Sequence, residues 1–445
     1  MNTQAIHWMR TLRCGWGYRM TVWIGIASTI AVALLFSPTA ARADVVLDWN
    51  TIMVTTTTGQ SPFAQARFAA ITQLAVFEAV NAITHDYEPY LGTIIAPQGA
   101  SAEAAAVAAA HRVLRNYFPA SAASLDAARL NSLASIPDGT SKTAGIAVGE
   151  AAAAAMIALR AADGSGTAAF YVPISSDPGQ WQLTPSCPPA GGILLHWGNV
   201  TPFAIQSSDQ FRSDPPPALF SNKYRFDYNE VKAVGDVNSI ERPADRTDVA
   251  RFYAAVPPVA VWNPAARQVI AAHEASVSEN ARTLALLNMA ISDALVSTFD
   301  TKYHYTFWRP ETAIRAGDLD GNPKTDPAAG FVPLIITPCF PSYPSAHASG
   351  SNAARKVLES LFGSGRHSIT LSNATLPGII LNYTRFKEIT DDIDDARVFG
   401  GIHFRFDQEA GARQGRRVAK YVYRHKLRSL RNNSDNENEW SGDRR

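Results

Sequence analysis

The sequence predicts an all-α fold, a helical bundle with long loop excursions. Three observations carry that prediction: apolar residues recur at helical spacing along most of the chain, strand-like runs are scarce apart from short pieces such as 378–381, and no internal period points to a solenoid. Between 63 and 83, Phe68, Ile71, Leu74, Phe77 and Val80 follow the helical period, and Ala-rich segments at 101–117 and 140–161 continue it with the strongest helix former. Residues 163–225 change character. Pro, Gly, Ser and aromatics dominate there, and Pro215-Pro216-Pro217 interrupts any helix, so this excursion of loops and short helices either covers a pocket or caps the bundle.

After Pro257-Pro258 one long helical run is expected from 263 to about 306, with Asn263 as its N-cap and Pro264 in the first turn. A loop at 317–341 precedes a helix that begins near Ser345 and runs to Leu361, where Gly363 ends it. The last helical stretches cover roughly 380–399 and 403–430, and a polar tail at 432–445 is expected to be disordered.

At 445 residues the chain is long enough for one large domain or two ordinary ones. The continuity of the helical pattern favours a single helical domain over 44–431, with an N-terminal half at about 44–257 and a motif-bearing half at about 263–431. A formal net charge of +1 argues against a global electrostatic mode of binding to nucleic acid or membrane. Arg10, Arg13 and Arg19 precede an apolar run at 20–36 that leads to Ala41-Arg42-Ala43, the layout of a secretory signal cut after Ala43; a signal anchor is the competing reading. No second stretch of comparable apolar length stands out, so the mature chain is expected to be extracytoplasmic without integral membrane association. Cys187 and Cys339 would then sit where disulfides persist, and one bridge is possible, although spacing alone cannot establish it. Neither lies in a Cys-x-x-Cys pattern, which argues against structural zinc.

Chemistry concentrates in three segments. Lys302 and Arg309 are two helical turns apart and would share a face if the helix persisted; Pro310 instead favours Arg309 hanging off the helix end, and either way two long cations can converge. Ser345, after Pro344, opens a helix and places its hydroxyl and the neighbouring amides where a helix N-terminus favours an anion, with His347 within a turn to give or take a proton. Arg397 and His403 are six apart, off-face on a straight helix, but Gly400-Gly401 permits a break that turns both inward, and Asp407 shares a face with His403 at i+4. Together these groups can surround one tetrahedral oxyanion.

At these residues the chain resembles the vanadium haloperoxidase and type 2 phosphatidic acid phosphatase superfamily, whose pattern is Lys-x6-Arg-Pro, Pro-Ser-Gly-His and Ser-Arg-x5-His, matched over about 302–407. The resemblance implies that His403 coordinates vanadium, or is phosphorylated in a phosphatase, and that His347 is the acid–base histidine. It further implies that Lys302, Arg309 and Arg397 neutralise the oxyanion, with hydrogen bonds from Ser345 and the Ala346 amide. Two positions depart from the pattern. Ala346 replaces a glycine, which keeps the amide but adds a methyl and narrows the backbone angles, and Ala396 replaces a serine.

Vanadate and phosphate share shape and charge, so the ligands alone do not separate peroxidase from phosphatase. Chain length, the lack of multiple membrane spans, and the aromatic run Phe307-Trp308 before Arg309 resemble the haloperoxidases, and Phe340 resembles the position where chloroperoxidases carry Phe. The implied partners are hydrogen peroxide, halide and possibly an organic acceptor. The alternatives are a soluble acid phosphatase with a phosphohistidine intermediate and a non-catalytic oxyanion binder. Other features have plainer readings beside functional ones: the acidic cluster Asp391, Asp392, Asp394 and Asp395 reads as a solvated helix face ahead of a cation site or an ion pair to Arg397, Asp318 to Asn322 as an ordinary turn ahead of a calcium loop, and the basic stretch 416–431 as an amphipathic packing helix ahead of a contact with anionic lipid or polymer.

Overall fold

Helix caps decide where the elements start, and only some of them are visible in the sequence pattern. In the computed structural model, which describes residues 44–430, Asp44 accepts from the Val46 and Leu47 amides to open α1 (Val45–Thr56), and Ser61 caps α2 (Pro62–Thr84) with Pro62 in its first turn. The expected signal (1–43) and polar tail (432–445) lie outside the described residues. Next come α3 (Ala102–Tyr117), α4 (Ala122–Ala134) and α5 (Thr140–Leu159); α3 and α5 follow the two expected Ala-rich segments, and α4 lies between them. The irregular excursion follows, then α6 (Asn222–Val234) and α7 (Ala244–Ala255).

The single long run expected from 263 is instead two helices, α8 (Pro258–Ala271) and α9 (Val277–Tyr305). Ser276 and Glu279 form a reciprocal capping box that starts α9. Asn263 is not an N-cap: it lies buried inside α8, where its amide donates to Asn288 Oδ1 and its oxygen accepts from Asn50. Beyond α9 come the short α10 (Pro310–Arg315), α11 (Ala346–Phe362), α12 (Phe386–Phe399) and α13 (Arg405–His425). The stretch read as helical from 380 begins as a strand: β1 (Ile369–Ser372) and β2 (Ile380–Tyr383) pair antiparallel, Ile369 opposite Tyr383, before α12 starts.

The fold is all-α apart from this hairpin among the described residues, which fall in one compact unit. Its axis is α9, buried around its whole circumference from Thr283 to Phe299 and packed by α2, α11 and α13. Contrary to the sequence expectation, α2 and α5 are both long and apolar enough to cross a membrane; 83% of the α2 window is buried inside the protein, whereas α5 packs one side on α3. Helices α11 and α13 touch backbone to backbone. A Cβ at Gly411 would stand 2.4 Å from the Ser345 carbonyl oxygen, and one at Gly415 2.0 Å from that of Ser349, so glycine is what lets α13 press against the start of α11.

The excursion is held to the bundle by a Cys187–Cys339 disulfide and by a backbone bond from Ile193 N to Cys339 O. It therefore caps the bundle and also, through Ile193 and Leu194, walls a cavity.

Candidate active site

Helix α9 ends at Tyr305 because Thr306 turns left-handed (φ 47°), and the chain is extended at Arg309 before Pro310 starts α10. Arg309 thus hangs off the helix end, as Pro310 predicted. Lys302, one turn before the break, is fully buried and its ammonium donates to the carbonyls of Pro341 (2.8 Å) and Ser342 (2.7 Å). The Arg309 guanidinium donates from Nε to Phe340 O and from Nη1 to Ile402 O. Both cations lie against the Phe340 ring, 5.3 and 5.0 Å from its centroid.

Gly401 supplies the break between α12 and α13. Its φ of 77° and its contact with the Gly235 carbonyl, 2.4 Å from where a Cβ would be, leave room for no other residue, and the chain turns there to carry His403 inward. His403 Nδ1 lies 2.8 Å from Asp407 Oδ2, an oxygen that also accepts from the Phe404 amide and from Ser342 Oγ. Arg309 Nη1 lies 3.0 Å from His403 Nε2. Because guanidinium can only donate and the carboxylate oxygen is surrounded by donors, both flanks require the same tautomer: Nδ1 protonated, Nε2 a lone pair. Burial, then the Arg309 and Lys302 charges, hold His403 well below the usual imidazole range.

His347, in the first turn of α11, is likewise held well below that range by burial and the three nearby cations, and its ring makes no hydrogen bond among the described residues. Ser345 is the N-cap of α11: its hydroxyl accepts from the Ala348 amide and its own amide donates to Asp407 O. Arg397, in the last turn of α12, donates Nη1 to Tyr253 O at 3.2 Å. Burial lowers Arg309 to about 9 and Arg397 to about 10, lowers Lys302 strongly, and raises the Asp407 carboxyl to about 7.

Among the described residues three buried cations therefore share one nearby carboxylate, and Nη2 of Arg309 and Nε of Arg397 are buried without an acceptor. Uncompensated charge of this kind costs several kcal/mol per group. The donor set fits a multiply charged tetrahedral oxyanion, with His403 Nε2 as a neutral lone pair oriented by Asp407 and available to a metal centre.

A cavity of about 590 Å³ opens above this cluster, with Ala346, His347, Arg397 and His403 at its base and Phe340 on one side. Lys302, Arg309 and Ser345 do not line it but lie behind the base. Trp308 is not part of the approach: it is buried in a separate aromatic cluster with Tyr224, Phe307 and Phe331, its indole away from the cavity lining. The acidic cluster is not a plain solvated face either. Asp391, Asp392 and Asp395 pair with Lys387, Arg246 and Arg405, and Asp394 is half-buried with its carboxyl raised to about 7 by burial. In sequence Pro341-Ser342-Tyr343 ahead of Pro344 fits the haloperoxidases, but sequence reasoning gives no role to Ser342 and does not name Tyr253. That run lies just before Ser345, a signal that could have given Ser342 its role, but Tyr253 acts through its carbonyl and leaves no side-chain signal.

Residues 282–432 match the family model described as the VCPO second helical-bundle domain. Over 194 residues the chain is 24% identical to vanadium chloroperoxidase of Curvularia inaequalis, a match that covers 36% of this chain and only 31% of that relative's length. Among solved structures, the first bacterial vanadium-dependent iodoperoxidase superposes with a TM-score of 0.72 at 26% identity, over 88% of this chain and 97% of the other. An apo-type bacterial vanadium-dependent chloroperoxidase gives 0.66 at 16% identity, over 82% and 95%. These matches support the vanadium haloperoxidase superfamily as what this chain is similar to, most directly over residues 282–432. Its fold is that of the bacterial haloperoxidases.

Proposed function

We propose that the protein is a vanadate-dependent haloperoxidase that oxidises halide with hydrogen peroxide to a hypohalous acid equivalent. The supporting observation is the pair of buried guanidinium nitrogens without an acceptor among the described residues, Nη2 of Arg309 and Nε of Arg397, beside a histidine whose Nε2 lone pair is fixed by Asp407. His403 would hold vanadium through Nε2, and Lys302, Arg309 and Arg397 would balance the oxyanion's charge, Arg309 giving up its bond to Nε2 as it does so. Bound vanadate supplies a Lewis-acidic centre that makes peroxide electrophilic toward halide. Ser345 and the Ala346 amide add neutral donors at the N-terminus of α11. His347, kept neutral by its surroundings, takes the proton that peroxide loses on binding.

The same Asp407–His403 pair favours a second reading, a phosphatase in which Nε2 attacks phosphorus. Protein incubated with orthovanadate and assayed for monochlorodimedone bromination beside p-nitrophenyl phosphate hydrolysis separates them. Bromination that requires vanadate supports the peroxidase; hydrolysis inhibited by vanadate, without bromination, overturns it; neither activity leaves an oxyanion binder. The residue 1–43 segment and the Cys187–Cys339 bridge support an extracytoplasmic site of action.

A further inference from the structure

We propose that the chamber above His347 and His403 binds a neutral, lipophilic organic acceptor and presents it for halogenation at the chamber floor. This rests on the haloperoxidase reading of the site and adds the class of second substrate. The first argument is volume. About 590 Å³ corresponds to roughly twenty water-sized molecules, whereas peroxide and a halide ion need the space of only a few, and the value lies within the range of organic-ligand pockets.

The second is the chemistry of the walls. Phe63, Ile193, Leu194, Leu295, Ile335 and Phe340 enclose the space, and among the described residues the only titratable groups that line it are His347, Arg397 and His403 at the base. No carboxylate lines it, so a cationic guest finds no partner. The one wall hydroxyl, Ser61, is engaged in capping α2. At the mouth Ile336 stands 82% exposed, which extends the apolar surface outward to where a guest would enter. These walls come from the start of α2, the excursion, α9 and the 334–340 loop, so the space is a built chamber rather than a crease between two helices.

A carbon nucleophile held there meets the oxidised halogen where it forms. Halide gives two electrons to peroxide, whose O–O bond breaks, one oxygen leaving as water; the hypohalous acid then forms a C–X bond as a C–H bond breaks, and the released proton leaves with hydroxide as a second water. Per turnover one acceptor, one halide, one peroxide and one proton yield one halogenated product and two waters.

The test uses the full chain loaded with orthovanadate, para-octylphenol as acceptor, and two variants that plug the mouth from different elements at exposed positions, Ala254→Trp on α7 and Ile336→Trp on the loop. Binding is read by calorimetry without peroxide, and turnover by bromination of the phenol beside triiodide formation from iodide. Expected are wild-type binding, a loss of about tenfold or more in phenol affinity and phenol kcat/KM in at least one variant, and iodide oxidation within about twofold of wild type. Phenol that does not bind, or that is brominated equally well by both folded variants, overturns the proposal, since halogenation then occurs in bulk solution. Phenol that binds to wild type and not to the variants, in a protein that oxidises no halide, leaves the chamber standing and sinks the reading of the site beneath it.

Discussion

Replacing Arg397 with Met should make the anion-free protein more stable and its anion binding weaker, opposite effects of one substitution. Burial holds the Arg397 guanidinium at about 10 against 12.5 in water, and at roughly 1.4 kcal/mol per tenfold change in proton affinity its charged form carries about 3 kcal/mol of desolvation. Neutral pH lies below both values, so this cost is fully present there; it would be relieved only as pH rises from about 10 toward 12.5. Met removes the charge and keeps an apolar stem. Against the gain stands the bond to the Tyr253 carbonyl, of order 1.5 kcal/mol, so a net stabilisation of about 1–2 kcal/mol remains without ligand. With ligand the sign reverses: removing one charge-assisted hydrogen bond to the anion costs about 1.5–3 kcal/mol, roughly tenfold to a hundredfold in orthovanadate affinity. Thermal unfolding with and without orthovanadate, together with calorimetric titration, reads both. An arginine with a purely structural role predicts the reverse pattern; a variant that melts lower without ligand and keeps the full vanadate-induced rise in Tm would contradict this account of the site.

His347→Ala should abolish halogenation while leaving orthovanadate affinity within about threefold, because its ring transfers a proton and is not among the charge-balancing groups; retained turnover removes it from that role. Burial and the neighbouring cations hold His347 well below the usual imidazole range, so the acid limb of the wild-type pH–rate profile should fall below 6.5, and a limb above that value would contradict this assignment. His403→Ala should cost about a hundredfold or more in vanadate affinity, and tight binding measured by dialysis would reject it as the metal ligand. Gly411→Ala forces a Cβ to within 2.4 Å of the Ser345 oxygen; a destabilisation of about 1–3 kcal/mol and weaker vanadate binding are expected, and an unchanged Tm would show that the α11–α13 seam yields freely.

The residues of the site were legible because charge and proton-transfer chemistry fix their types and the helical period fixes their spacing. Arg309 illustrates what was strongest: the Pro310 ring dictated an extended backbone, and the guanidinium reached the cluster from there. Gly401 was legible for the same reason, as a backbone feature read directly from one residue. Depth was not legible. Nothing local distinguishes Phe340, which shields the cations, from Trp308, which packs in another cluster, since both are aromatics near a motif. Asn263 looked like a cap because Asn-Pro usually is one; a partner 213 positions away, Asn50, made it a buried hydrogen-bonding residue instead. The chamber walls were hidden for the same reason, since Ile193, Leu295 and Phe63 converge only through tertiary packing.

The Cys187–Cys339 bridge joins the roof of the chamber to the residue next to Phe340, across 152 positions of chain. In a chain-entropy view a loop of that size restricts the unfolded ensemble by roughly 5 kcal/mol. Two walls of one cavity, the excursion that carries Ile193 and Leu194 and the loop that carries Phe340, are thereby tied to each other covalently, so thiol reductants should loosen those walls before they melt the helices beneath.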